Sequence, residues 1–141
     1  MTTIPELAPE GELDHVKIGD FATEAGASIE DVTIAYRRWG AFAGDPHGAN
    51  NIVVIEHALT GDSNAVDWWG DLIGPGKALD TQQWCVIVTN ALGSCKGSTG
   101  PCSPHPDGKA WGSRFPALSI RDLVEAEHKF LQELGFEHVH A

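Results

Sequence analysis

A chain of 141 residues is long enough for one domain with a sizeable core, and 42% hydrophobic with 21% charged residues is the balance of a folded protein, not a disordered one. Nine basic against twenty acidic residues leave a formal net charge of -11. That argues against a nucleic-acid surface, which needs a basic patch, and against adhesion to an anionic membrane.

The acidic balance serves solubility, so an anionic substrate would have to be met by local positive groups. No apolar run approaches the roughly 20 residues that span a bilayer, and residues 1–12 have neither the basic leader nor the apolar core of a signal peptide. Cys85, Cys95 and Cys102 cannot all pair with one another. Reduced thiols in a cytoplasmic protein are the simplest account. Cys95 and Cys102 lack partners at zinc-ligand spacing, so no metal is expected.

In chain order, residues 1–12 contain Pro5 and Pro9 and read as an extended arm. Residues 15–18 form a short strand. Residues 28–36 place Val32, Ile34 and Tyr36 on one face, the alternation of an edge or antiparallel strand. Gly19-Asp20 and Glu24-Ala25-Gly26 supply turn residues between them, which predicts a hairpin-like pair. Arg37-Arg38-Trp39-Gly40 ends it, with the arginines read as a solvated strand end ahead of an anion site.

After a polar loop at 41–50, Ile52-Val53-Val54-Ile55 is a continuous apolar run, read as a central strand buried on both faces. It feeds Glu56-His57-Ala58-Leu59-Thr60-Gly61-Asp62, which would lie at the carboxyl end of a parallel strand, where open α/β sheets hold ligands. Residues 60–76 carry Trp68-Trp69 and Gly74-Pro75-Gly76, with at most a helical turn near Leu72 and Ile73. Residues 84–90 are a second buried strand. The long connection between the two strands has little helical periodicity, a pattern often tied to function.

Residues 91–116 are rich in small residues and end in the knot Trp111-Gly112-Ser113-Arg114-Phe115-Pro116. Neither G-x-x-x-x-G-K-[ST] nor G-x-G-x-x-G is met, so nucleotide binding by those motifs is rejected. Residues 119–134 form a helix, with Ser119 and Asp122 as a capping box and Gly135 as its stop. Its apolar stripe is Ile120, Leu123, Val124, Leu131 and Leu134. Arg121, unfavourably placed near the helix start, is exposed or paired elsewhere. Residues 136–141 begin another strand. A strand pair, two buried strands, a helix and a nascent strand point to an α/β sheet.

His57-Ala58-Leu59-Thr60-Gly61, the loop from Gly93 to Pro101, the knot at 111–116 and Ser119-Ile120-Arg121-Asp122 occur in that order. Together they resemble the N-terminal part of the homoserine O-acetyltransferases, a family with the α/β-hydrolase fold. The resemblance implies an N-terminal portion of that fold, with antiparallel edge strands followed by a mainly parallel sheet. It implies acetyl transfer from acetyl-CoA to the hydroxyl of L-homoserine, in methionine biosynthesis, through an acyl-serine intermediate. Acetyl-CoA is then a co-substrate and no other cofactor is implied.

Such chemistry needs an activated nucleophile, a base, an orienting acid and donors aimed at the oxyanion. By resemblance, the first oxyanion donor is the backbone N–H of Leu59. Ala58, Thr60 and Gly100, with the 97–101 loop, line the acyl pocket. Arg114 has two readings, a contact to an anionic substrate group and a structural ion pair, of which the second is preferred. His57 is read as structural, because the family's catalytic histidine lies far toward the C-terminus. His138 and His140 are not expected to hold a metal.

The nucleophile motif G-x-S-x-G is absent, since Gly97-Ser98-Thr99-Gly100 has the wrong spacing. Residues 1–141 are therefore expected to form a partial α/β-hydrolase domain that ends before the nucleophile elbow, with no second domain. Nucleophile, acid and base are expected outside this chain, and the isolated chain is expected to be inactive. Part of the helix's apolar stripe is then expected to be exposed, and the isolated chain to self-associate. A homodimer is implied for the full-length enzyme and left open for this chain. An O-succinyltransferase, an esterase of the same fold and a non-catalytic fragment remain alternatives.

Overall fold

The computed structural model describes residues 6–141; the first five residues of the expected arm lie outside that range. The centre of the molecule is the strand Cys85–Thr89 (β6), every residue of which is buried. Its continuous apolar run follows from burial on both faces. Cys85 and Ile87 join the cluster beneath the long helix, while Val86 and Val88 face a second cluster with Trp39, Ile55, Ala65 and Ile73.

Four strands form one sheet in the order β1-β2-β6-β3. Asp14–Ala22 (β1) and Ser28–Trp39 (β2) pair antiparallel, and β2 pairs antiparallel with β6 from Tyr36 to Trp39. Ile52–Ile55 (β3) runs parallel to β6, with Ile52 opposite Cys85 and Ile55 opposite Val88. Val32, Ile34 and Tyr36 share a buried face, as the alternation required.

The strand pair is longer than the sequence suggested. Gly19 and Asp20 are not a turn but sit inside β1, where the register shifts around Gly19 at φ +80. The turn is confined to Thr23–Ala27, closed by Thr23 N–H to Ala27 O at 2.8 Å. Arg37 and Arg38 are likewise not a solvated strand end. Arg37 Nη1 donates to Gly11 O at 2.6 Å and Arg38 Nε to Ala8 O at 2.7 Å. Together with the Ala8 N–H donated to Tyr36 Oη at 2.9 Å, they staple the N-terminal segment to β2.

β3 departs from the expectation of a central, doubly buried strand. It is the last strand of the sheet, and Val53 and Val54 are only half-buried. Its outer edge meets the final residues, with His140 N–H to Ile52 O and Val54 N–H to Ala141 O, both at 2.8 Å. The expected strand at 136–141 is thus present as hydrogen bonding without regular strand geometry.

The connection from β3 to β6 contains a short helix, Ala65–Trp69 (α1), and a two-residue parallel pair, Ile73–Gly74 (β4) with Leu79–Asp80 (β5). The helical turn therefore precedes Leu72 and Ile73 instead of containing them. A 3-10 turn occupies Gly112–Arg114.

The long helix, Ile120–Glu133 (α2), starts as the sequence indicated. Ser119 Oγ accepts from Asp122 N–H at 3.1 Å and Asp122 Oδ2 from Ser119 N–H at 2.9 Å. Asp122 also accepts from Glu24 N–H at 2.8 Å, which ties the helix start to the β1–β2 turn, and these amide donors hold its carboxyl below the usual range. Ala126 and Phe130 are buried against the sheet, with Phe130 edge-on to Tyr36 at 5.1 Å. Ile120 and Val124 stand 77% and 60% exposed. Only part of the stripe reaches the core, as the resemblance implied. Arg121 pairs with Glu24 at 3.6 Å, both exposed.

Candidate active site

The parallel pair β3 and β6 delivers two chain segments side by side at their carboxyl ends: Glu56 onward after β3, and Asn90 onward after β6. The loop after β3 turns tightly, with Gly61 N–H donating to Ala58 O at 2.8 Å. A Cβ on Gly61 would come within 3.2 Å of both the Ala58 oxygen and the His57 Cβ, which explains a small residue there. At the turn's tip the Leu59 side chain is 99% exposed. Its N–H has no hydrogen-bond partner among the described residues. A free backbone donor at a strand's carboxyl end is what an oxyanion needs.

His57 anchors the base of this loop. Its Nε2 accepts from Ala91 N–H at 3.1 Å, and its Nδ1 lies 2.7 Å from Ala58 O. An amide can only donate and a carbonyl only accept, so the proton belongs on Nδ1 and both ring nitrogens are engaged. Neither is left to act as a base within this chain.

A cavity of about 580 Å³ opens beside the loop, lined by Glu56, His57, Ala58, Thr60, Gly61 and the two α1 indoles of Trp68 and Trp69. Ala58 and Thr60 thus share a wall with the loop. Gly100 does not line this cavity, contrary to expectation. It is buried, its N–H donates to Ser103 Oγ at 2.9 Å, and an added Cβ would lie 2.7 Å from the Ser94 carbonyl oxygen. Its neighbours are spent on the fold as well. Ser98 Oγ accepts from Ala35 N–H at 2.8 Å and donates to Asn90 O at 2.5 Å, and Thr99 Oγ1 accepts from Thr33 N–H at 2.9 Å. The reason is that β6 pairs with β2 only beyond Tyr36, leaving β2 amides that need partners.

Arg114 also lies outside the cavity. It forks onto Asp107, with Nη1–Oδ2 at 2.6 Å and Nη2–Oδ1 at 3.3 Å, and donates to Ala110 O at 3.0 Å. This closes the 104–110 turn, and the guanidinium holds the Asp107 carboxyl well below the usual range. Arg114 is spent on that ion pair. His140 packs on Trp84 with ring centroids 4.5 Å apart. Cys95 and Cys102 are free and exposed, while burial pushes the Cys85 thiol up to about 11.

Two residues emerged only from the structure. Asn90 is fully buried; its Oδ1 accepts from Ser63 N–H at 2.7 Å, and its Nδ2 donates to Ser63 Oγ at 3.1 Å and Lys96 O at 2.7 Å. It joins both loops of the site. A polar residue directly after a buried apolar run was its one signal. Glu127 interrupts the α2 stripe at i+4 from Leu123 and i−4 from Leu131. Its Oε2 accepts from Thr89 Oγ1 at 2.6 Å, while Oε1 is buried without a partner. Burial, reinforced by nearby Glu56, raises its carboxyl to about 7.

A mixed sheet with a free donor at the carboxyl end of a parallel strand is a hydrolase-type framework, and the sequence agrees: residues 51–141 match the model of the α/β hydrolase fold. The chain belongs to that family. Among characterised proteins it is similar to the homoserine O-acetyltransferase of Corynebacterium diphtheriae, at 64% identity over 135 residues, covering 96% of this chain and 35% of the relative. The chain thus spans about a third of the length of the curated relatives it matches. Of solved structures, esterase E22 superposes with a TM-score of 0.81 at 31% identity, covering 92% of this chain and 39% of the other. The homoserine O-acetyltransferase from Bacillus anthracis gives 0.79 at 25% identity, covering 94% and 39%.

Proposed function

We propose that this chain is the oxyanion-binding part of an enzyme that transfers an acetyl group from acetyl-CoA to the hydroxyl of L-homoserine. The product is O-acetyl-L-homoserine, made for methionine biosynthesis in the cytoplasm. The observation that carries the reading is the unpartnered Leu59 N–H, presented at the carboxyl end of β3 in a chain 64% identical to an enzyme of that name.

The chemistry assigned to these residues is limited. When a serine outside this chain attacks the thioester carbonyl, charge develops on the carbonyl oxygen, and the Leu59 N–H donates to it. His57 holds the base of the loop that carries this donor. Ala58 and Thr60 shape the wall beside the acyl group. The nucleophile, base and acid belong to a further part of the domain, and the complete enzyme is proposed to be a homodimer using acetyl-CoA as its only co-substrate.

The test is thiol release from acetyl-CoA by a full-length protein containing this chain, with and without homoserine, and with succinyl-CoA and serine as controls. Homoserine-dependent release from acetyl-CoA is expected; no homoserine-dependent release from either donor would sink the transferase reading. The likeness to esterase E22 favours a second reading, ester hydrolysis, which the same assay separates by acceptor-independent turnover. The isolated chain, purified and verified by mass, is expected to show no acyl transfer.

A further inference from the structure

We propose that Cys95 and Cys102 form a reversible dithiol–disulfide site, oxidised by a small organic disulfide of the glutathione class. The site lies on the 90–103 loop and does not depend on the acyl-transfer reading.

Position is the first observation. The loop runs back past itself, with its two passes side by side. Gly93 N–H donates to Thr99 O at 2.8 Å, and an added Cβ on Gly100 would lie 2.7 Å from Ser94 O. Carried one step further along each pass, this pairing brings Cys95 to Pro101 and Cys102. Hydrogen bonds hold the second pass in place. Gly100 N–H donates to Ser103 Oγ at 2.9 Å, Gly112 N–H to Pro101 O at 2.7 Å and Trp111 N–H to Ser103 O at 2.9 Å. The first pass is held at Lys96, whose carbonyl accepts from Asn90 Nδ2 at 2.7 Å and whose Nζ faces Asp62 at 3.6 Å. The two cysteines are therefore fixed neighbours.

The thiols themselves are the second observation. Both are free and exposed, so a solute can reach them, whereas Cys85 is buried. The Cys102 thiol is in hydrogen-bond contact with Cys95, and that contact is the main cause that holds its proton above the usual thiol range. Sulfurs in such contact need only a side-chain rotation to reach the about 2.05 Å of a disulfide. Cys102 keeps its proton, so Cys95 is the attacking group. Its thiolate, formed by loss of a proton to water, displaces one thiolate from the small disulfide and leaves a mixed disulfide on Cys95. The Cys102 thiol then loses its proton, attacks the Cys95 sulfur and releases the second small thiolate. The two protein sulfurs give up two electrons and two protons in all, and the small disulfide leaves as two thiols. The ring so closed contains Ser98 and Thr99, which cap the Ala35 and Thr33 amides, so oxidation fastens the loop that already holds β2.

The test incubates a full-length protein containing this chain with oxidised glutathione, blocks the remaining thiols with iodoacetamide and digests with trypsin without reduction. Cleavage after Lys77, Lys96 and Lys109 puts Cys95 on peptide 78–96 and Cys102 on peptide 97–109. The two peptides are expected as one joined mass that dithiothreitol splits, with tandem fragmentation placing the bond at Cys95 and not at Cys85. Cys95→Ser and Cys102→Ser should each abolish the joined mass and leave a glutathione adduct on the other cysteine. No joined mass, a bond placed at Cys85, or a joined mass found only in covalent dimers on a non-reducing gel would overturn the proposal. Failure of the transferase reading has a separate signature, the absence of homoserine-dependent thiol release, which this mapping does not measure.

Discussion

The loops that follow β3 and β6 are close in composition, both short of helical pattern and rich in Gly, Ser, Thr and Asn, yet they spend their polar groups in opposite ways. The 90–103 loop turns inward: Ser98 and Thr99 satisfy the Ala35 and Thr33 amides, and Asn90 binds Ser63 and Lys96. The loop after β3 turns outward, with the Leu59 N–H free, its side chain 99% exposed and two indoles open to water beyond it. A glycine-rich loop is not a site because of its composition. It becomes one where the fold has no claim on its donors.

The largest expected effect separates the loops by function. In a full-length enzyme containing this chain, Leu59→Pro would delete the free donor at a turn position that suits proline. Acyl transfer should fall by about 100- to 1000-fold with little change in melting temperature. An unchanged kcat/KM would remove Leu59 from the oxyanion site.

Asn90→Ala attacks the joint between the loops, leaving the Ser63 amide and Lys96 carbonyl without their partner. A loss of about 3 kcal/mol is expected in urea denaturation. Gly100→Ala tests the inward loop alone. Its new Cβ would press on the Ser94 and Gly93 backbone, so a loss of about 2 kcal/mol is expected, with the Leu59 turn unaffected. Leu59→Ala is the control: an exposed side chain whose removal should change stability by less than about 0.5 kcal/mol.

Glu127 adds a pH axis beneath the same strand ends. A carboxyl whose folded titration is raised holds its proton more tightly in the folded state. Its favourable contribution is complete at acid pH and is lost as the pH rises through about 7. Glu127→Gln should therefore be nearly neutral at pH 4.5 and stabilising by up to about 3 kcal/mol at pH 8, measured by urea unfolding at both values. Equal differences at the two pH values would show that this carboxyl titrates normally.

The sequence by itself determined the elements whose cause is local. The α2 start was legible because Ser119 and Asp122 cap each other across one turn. β6 was legible because five successive apolar or small residues leave no face for water, and the face of β2 because Val32, Ile34 and Tyr36 alternate. The Leu59 loop was located by its place after an apolar strand and by its resemblance to a known family.

Tertiary structure alone decided where polar groups are spent. Gly19 and Asp20 looked like a turn and became a bulge within β1, while Arg37 and Arg38 looked solvated and became staples for residues 8 and 11. Gly100 was expected at the acyl pocket and instead packs against backbone, and β3 was expected at the centre of the sheet and stands at its end. Composition reports that a residue can donate, accept or turn. Which partner it meets depends on segments far away in the chain, as with Glu24 and Asp122 or Thr89 and Glu127. Long-range pairing leaves no periodic trace in a single sequence, so only the assembled fold could show that one loop holds the sheet and the other leaves the Leu59 N–H unpaired.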